Sequence, residues 1–380
     1  MGRRRLQICM IWSTAYPAEE GIGNYVTHLA RKLVDRGHKV LLVTRGGLGW
    51  RDSKQINGVV VHEAPFMPVY PFHVQLHGLF VDSLVRSLRK NLDLIHIHSP
   101  LSPSVRVGIP VVATMHSALR FGIRSVEVVD RQSAAIKLQG VMSLRIEEEL
   151  LRNAQYVTTV SRSVASEFMS CGFRGEIDVV GNGVDEKFYL PGKDRREDNT
   201  ILYVGRLAYR KGLFDLLASS KTILKERPDA KFLIVGKGPL RGLLEKRVKD
   251  AGVETSFQFL GFLPLKDLQS IYRSAAVCVV PSHYEGQPTT LLEAMSSGAP
   301  IVGTNIPSIS GVLTHDVDGI LAQSKSPELL ANAIIGLMND GEKRAEIGQN
   351  ARRTVEQAFT WDIVTDRIEN SYGKINPELE

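Results

Sequence analysis

Short apolar runs alternate with helix-period segments along nearly the whole of this 380-residue chain. Such an alternation demands β-α-β units, because a run of five or six apolar residues buries both of its faces only in a parallel sheet covered by helices on each side. The pattern predicts strands at residues 8–13, 40–44, 59–62, 94–98, 111–115 and 156–160, then at 200–204, 231–235, 256–260, 276–280 and 301–303. The length suits two domains rather than one core. Between the two sets of strands, the charged run Gly192-Lys193-Asp194-Arg195-Arg196-Glu197-Asp198-Asn199 is the best linker candidate. The expectation is an α/β protein of two doubly wound domains meeting at a cleft, residues 1–190 and 191–360, with a last helical pattern at 361–372 that suits either domain.

Hydrophobic residues make up 43% of the chain and charged residues 23%, which is globular composition. No apolar run reaches membrane-spanning length, and Met1-Gly2-Arg3-Arg4-Arg5 passes into a strand-like run without a cleavage pattern, so a cytoplasmic protein is expected. Leu6 stands where a myristoylation signal needs Ser or Thr. Cys9, Cys171 and Cys278 are scattered, two of them inside apolar runs, and read as free thiols rather than a disulfide or metal site. Residues 1–190 hold 23 Lys and Arg against 17 Asp and Glu, the whole of the net charge of +6. No basic-aromatic interleaving accompanies this excess, so nucleic acid is not an expected partner. Two readings of the charge remain, a solvated surface and attraction to an anionic membrane or acceptor. The uncharged stretch Pro65-Phe66-Met67-Pro68-Val69-Tyr70-Pro71-Phe72 bears on the choice: exposed, its aromatics would join the basic surface in holding the protein at the inner face of a membrane, and packed on the next helix they would not.

The chemistry concentrates in Pro281-Ser282-His283-Tyr284-Glu285-Gly286-Gln287-Pro288-Thr289-Thr290-Leu291-Leu292-Glu293-Ala294-Met295. The apolar run before it ends as a buried strand, Pro288 suits the first turn of a helix, and Gly298 with Pro300 stops that helix. The helix N-terminus then faces the crevice at the strand ends, with the backbone N–H groups of Gln287, Thr289 and Thr290 placed to hold an anion such as a diphosphate. Neither glutamate reads as a core residue. Glu285 in the loop suits a polyol, and Glu293 suits a second hydroxylated ring such as a ribose, a set of contacts that fits a nucleotide-sugar.

The E-x7-E spacing from Glu285 to Glu293, with its Pro-Ser, Gly-x-Pro and Leu-Glu-Ala-Met flanks, resembles the signature of the family 4 glycosyltransferases, retaining enzymes of the GT-B fold. Gln287 departs from the pattern, which usually has an aromatic residue there. Tyr203-Val204-Gly205-Arg206-Leu207 followed by Arg210-Lys211-Gly212 is similar to a second family pattern, and implies that Arg206 and Lys211 grip the departing diphosphate. By the same resemblance, Gly236 and Lys237 belong to the nucleotide-side loop, with Leu260 and Phe262 as the wall for the base. Gly21 and Gly23 resemble the glycine loop under the donor diphosphate, where a flexible helix start is the other reading. His116 matches the histidine that closes over the transferred sugar, with a structural histidine as its rival. His96 and His98 share one face of a strand, but no third ligand of suitable spacing follows, so no metal site is expected. Asn182-Gly183-Val184-Asp185 resembles the turn that joins the domains, and Arg120, Arg124 and Arg131 would line an acceptor side.

The resemblance implies retaining transfer of a sugar from a nucleotide-diphosphate donor to a glycan or lipid-linked hydroxyl, without a separate cofactor. The glycine loop and the His116 segment offer no carboxylate nucleophile, which favours front-face transfer over double displacement. A dinucleotide oxidoreductase would need G-x-G-x-x-G after a strand, which is missing. A nucleotide-sugar epimerase and a non-catalytic partner share the architecture; the second would be expected to lack Glu285, Arg206 or Lys211, and all three are present.

Overall fold

Parallel strands and covering helices account for both halves of the computed structural model, which describes residues 4–14, 16, 21–69, 72–124, 128, 131–192 and 198–375. The chain divides into one unit of Met1–Asn182 with Trp361–Glu380 and another of Gly183–Thr360. The division falls at the Asn-Gly-Val-Asp turn, where Val184 N–H donates to the Phe359 carbonyl at 2.9 Å and Asp185 caps the next turn. Residues 193–197 of the charged run lie outside the described residues.

The first unit runs β1 (Gln7–Ile11), α1 (Gly21–Asp35), β2 (Lys39–Arg45), β3 (Lys54–Ile56), β4 (Val59–Ala64), α2 (His73–Leu88), β5 (Leu94–Ser99) and β6 (Val111–Met115). It continues with α3 (Leu119–Arg124), α4 (Arg131–Asn153), β7 (Tyr156–Thr159), α5 (Arg162–Ser170) and β8 (Ile177–Val179). The sheet order is β3-β4-β2-β1-β5-β6-β7-β8, parallel except for β3. The winding reverses between β1 and β5, so the loops leaving those strands open beside each other.

The second unit runs β9 (Thr200–Val204), α6 (Leu213–Glu226), β10 (Lys231–Val235), α7 (Arg241–Asp250), β11 (Phe257–Gly261), α8 (Leu265–Ser274), β12 (Val277–Val280) and α9 (Thr289–Ser296). Then follow β13 (Ile301–Thr304), α10 (Pro307–Ser310), β14 (Ile320–Ala322), α11 (Pro327–Asn339) and α12 (Gly341–Ala358). Its order, β11-β10-β9-β12-β13-β14, is wholly parallel and reverses between β9 and β12. Three strands carry no clear sequence pattern, β3, β8 and β14, each three residues long at a sheet edge. Cys9 and Cys278 are buried and Cys171 is exposed, all as free thiols.

The last helix, α13 (Trp361–Ile375), returns to the first unit and completes its core with Trp361, Val364, Ile368 and Tyr372. Polar contacts fix it. Tyr372 Oη lies 2.7 Å from His96 Nδ1, and His96 Nε2 lies 2.6 Å from Thr114 Oγ1 inside the sheet. Leu6 N–H donates to His38 Nδ1 at 3.1 Å, which leaves the proton on Nε2 to be donated to Glu369 at 2.9 Å. Arg36 reaches the same carboxylate at 2.5 Å.

Glu369 is therefore the anchor of this helix. Glu369→Ala removes the acceptor of a buried histidine and a partly buried arginine, and the expected loss is about 3 kcal/mol. The three tryptophans, Trp12, Trp50 and Trp361, all belong to the first unit. Denaturation followed by their fluorescence reads that unit selectively, and an unchanged midpoint would contradict the anchoring role.

Candidate active site

The reversal of winding in the second unit decides which loops meet, since ligands of such sheets bind where neighbouring strands diverge. The loops leaving β9 and β12 are in backbone contact. Gly212 has φ +66°, and a Cβ there would lie 1.8 Å from the Pro281 carbonyl oxygen, so no side chain fits. His283 N–H donates to the Arg210 carbonyl at 2.8 Å, and His283 Nε2 lies 2.7 Å from Asp215 Oδ2 in the first turn of α6.

That contact encloses Glu285. Lys211 Nζ donates to its Oε1 at 2.5 Å, as does Ser282 Oγ at 2.7 Å. Arg210 Nη1 donates to Oε2 at 2.9 Å and also to the Tyr284 carbonyl at 2.9 Å. Both glutamates are buried, Glu285 at 5% exposure and Glu293 at 8%, which corrects the expectation that neither belongs to the interior. Burial works against the charge of Glu285, but Lys211 and Arg210 outweigh it and hold the carboxyl below its ordinary range. Burial, helped by Arg210 and Arg206, pulls the Lys211 ammonium below its usual range against the attraction of Glu285. Arg206 is exposed, and among the described residues no ion pair engages its guanidinium.

α9 starts at Thr289, one residue later than expected, because Pro288 is extended with ψ 119° and caps the helix instead of entering it. Gly286 and Gln287 are buried in the approach, and the amides of Thr289 and Thr290 open the helix next to the enclosed carboxylate. Glu293, farther along α9, accepts from Tyr272 Oη at 3.0 Å. Burial pushes its carboxyl up to about 7, with Tyr272 opposing.

Gly236 has φ +130°, and a Cβ there would meet the Gly205 carbonyl oxygen at 1.9 Å, so this glycine is required by the strand-to-helix turn itself. The turn presents exposed Lys237 at 5.4 Å from the Phe262 ring centroid, with partly buried Leu260 behind. The second unit thus gathers Arg206, Lys211, Glu285 and Glu293 with the Lys237–Phe262 pair at the carboxyl edge of one sheet.

In the first unit, Gly21 and Gly23 form the first turn of α1 instead of a loop before it, Gly21 with φ +54°. Tyr25 on the same helix packs edge-on against His116, ring centroids 4.7 Å apart. His116 Nε2 lies 3.3 Å from His98 Nδ1, and burial pushes His116 down to about 3, so the pair is neutral near pH 7. Arg120 and Arg124 lie exposed on α3. Sequence reasoning gave no role to Arg210, Ser282 or Tyr272. Arg210 adjoins a residue already singled out, but nothing local indicates that it bonds Glu285, 75 residues away.

Comparison with known proteins matches residues 20–188 to the family model Glycosyltransferase Family 4 and residues 190–354 to the model Glycosyl transferases group 1. An uncharacterized glycosyltransferase of Methanocaldococcus jannaschii is 29% identical over 98% of this chain and 99% of its own. A human protein of the phosphatidylinositol N-acetylglucosaminyltransferase is 27% identical over 99% of this chain and 77% of its own. Among solved structures, HepE of Anabaena in complex with UDP and glucose superposes with a TM-score of 0.75 at 19% identity, over 97% of this chain and 100% of that one, a likeness of fold.

The raised carboxyl of Glu293 carries a pH dependence. An acid whose folded pKa exceeds its unfolded value stabilises the fold fully below the unfolded pKa, and that contribution is lost as pH rises through the folded value, here about 7. Glu293→Gln keeps an acceptor for Tyr272 without the charge. The variant should gain on wild type between pH 6 and pH 8, by about 3 °C in Tm. Parallel curves across that range would mean that Glu293 does not titrate there.

Proposed function

Because the chain belongs to the family 4 glycosyltransferases, with the GT-B fold, we propose that it moves a sugar from a nucleotide-diphosphate donor to an acceptor hydroxyl with retention of anomeric configuration. The observation that carries this reading is the convergence of Arg206, Lys211 and the α9 N-terminus at the point where β9 and β12 diverge, an arrangement suited to a diphosphate. As the bond to the sugar breaks, negative charge grows on the diphosphate. Arg206 is exposed there with no ion pair among the described residues, and Lys211 gains a stronger partner than Glu285. The acceptor oxygen bonds to the anomeric carbon on the same face as the diphosphate departs, and its proton passes to the leaving oxygen. In this scheme Glu285 orients the sugar, Glu293 receives the ribose, and the protein cations serve the leaving group without a metal or cofactor. Lys237, Leu260 and Phe262 flank the base, and the backbone of Gly286, Gln287, Pro288, Thr289 and Thr290 cradles the phosphates. The UDP in the HepE complex supports a nucleotide-bound donor.

The acceptor we propose is lipid-linked or otherwise anionic, met by a cytoplasmic enzyme at the inner face of a membrane. In support, large apolar side chains stand exposed at Leu48, Trp50, Val69, Phe72 and Leu79, in the unit that carries +4 of the net charge of +6, and the human relative has phosphatidylinositol in its name. Phe66 does not join them, since it packs under Arg45 at 4.5 Å and against His73 and His77; Tyr70 and Pro71 lie outside the described residues. No helix among the described residues is long and apolar enough to cross a membrane, so any contact made through them would be peripheral.

Arg206→Ala and Lys211→Ala should each lower turnover by about 100-fold with the fold intact. Glu285→Gln should impair transfer while sparing affinity for the free nucleoside diphosphate, and Glu293→Gln should weaken that affinity. Calorimetry and product NMR read these outcomes. Near-normal turnover in both cation variants, an inverted product, or product formed without acceptor would each refute the scheme.

For the membrane, co-sedimentation with anionic liposomes at low salt should fall about tenfold in a Trp50→Ser, Phe72→Ser double variant and vanish for wild type at high salt. No binding of wild type at low salt would remove the lipid surface from the proposal.

A further inference from the structure

Two cations, Lys211 and Arg210, hold one carboxylate at the β9–β12 contact, and they are not equivalent. Lys211 is almost enclosed, with Arg206 and Arg210 both acting against its charge. A departing diphosphate offers it more negative charge than Glu285 does. Once Lys211 turns to that group, Glu285 would be left buried with only the Ser282 hydroxyl, and an uncompensated buried carboxylate either takes a proton or swings away. Arg210 fills the gap. Its guanidinium contacts the other carboxylate oxygen, Oε2, cannot lose its proton, and is tied down a second time at the Tyr284 carbonyl, while its own carbonyl receives the His283 N–H.

We infer that Arg210 is a positioning residue for Glu285, holding that carboxylate on the transferred sugar while Lys211 is engaged by the leaving diphosphate. The inference rests on the reading of Lys211 and Glu285 given above and adds a residue for which that reading has no role. It divides the labour by chemistry: the ammonium is a mobile point charge that can change partners, and the guanidinium is a planar fork fixed to one loop. The titratable and charged groups facing Glu285 are Lys211, Arg210 and the buried Tyr203 phenol on β9, which burial and Glu285 keep neutral, with Arg206 beyond Lys211 and the His283–Asp215 pair bracing the loop from α6.

The test is the pH profile of turnover in Arg210→Met and Arg210→Lys. Arg210→Met should lower kcat about tenfold and move the acidic limb of kcat to higher pH by about one unit, since Glu285 then loses the cation that stays with it. Affinity for the free nucleoside diphosphate should be unchanged, and Arg210→Lys should restore the acidic limb. In a Glu285→Gln background, Arg210→Met should cost nothing further. An unshifted limb with reduced kcat would reduce Arg210 to a structural role, and weakened nucleotide affinity would place it on the phosphates; either result overturns the inference. Should Lys211→Ala keep normal turnover, the reading beneath it fails instead. Thermal unfolding of both Arg210 variants beside wild type separates loss of fold from loss of position.

Discussion

A carboxylate that stays ionised away from water needs cations close at hand, and the carboxyl edge of the second unit is organised by how that need is met at Glu285. Lys211 and Arg210 can reach it because a glycine at 212 lets two loops touch backbone to backbone, and the loops are neighbours because the winding reverses between β9 and β12. Topology, a single missing side chain and electrostatics are thus successive causes of one arrangement. Coulomb attraction alone would not select it, since the cost of desolvating both partners offsets much of their attraction. What the pairing supplies is placement: three donors on two oxygens leave Glu285 little freedom of orientation.

The parts of the fold legible in the sequence were those written in local pattern. Buried strands such as Val277–Val280 and Val111–Met115 declare themselves as apolar runs, because parallel strands covered on both faces have no polar side to show. Short edge strands have no such requirement, and Lys54–Ile56 passed unnoticed even though Asn57-Gly58, both with positive φ, is the expected turn of a tight hairpin. The motifs of the second unit lie in loops at the carboxyl edge of its sheet. They did not reveal that Glu285 and Lys211, 74 positions apart, would be partners, because burial and pairing at that distance are products of topology. Glu293 was missed as an interior residue for the same reason: its partner Tyr272 lies on a different helix.

The histidines of the first unit show the limit from the other side. His96 and His98 share a strand face, as the alternation of side chains requires, but their neighbours diverge. His96 is consumed by Tyr372 and Thr114 in holding the last helix, while His98 leans on His116. Two residues equivalent in pattern serve structure in one case and a candidate site in the other, and only the elements packed against them tell the cases apart.

The return of α13 to the first unit also sets an order of assembly. The core of that unit includes Trp361, Val364, Ile368 and Tyr372, so no nascent chain that stops short of them contains all its parts. The second unit, Gly183–Thr360, is one continuous stretch and is complete before they are synthesised. On the ribosome, the half of the protein that is begun first is therefore the half that must wait to be finished, and until the last helix emerges His96 lacks its Tyr372 partner and His38 its Glu369 acceptor.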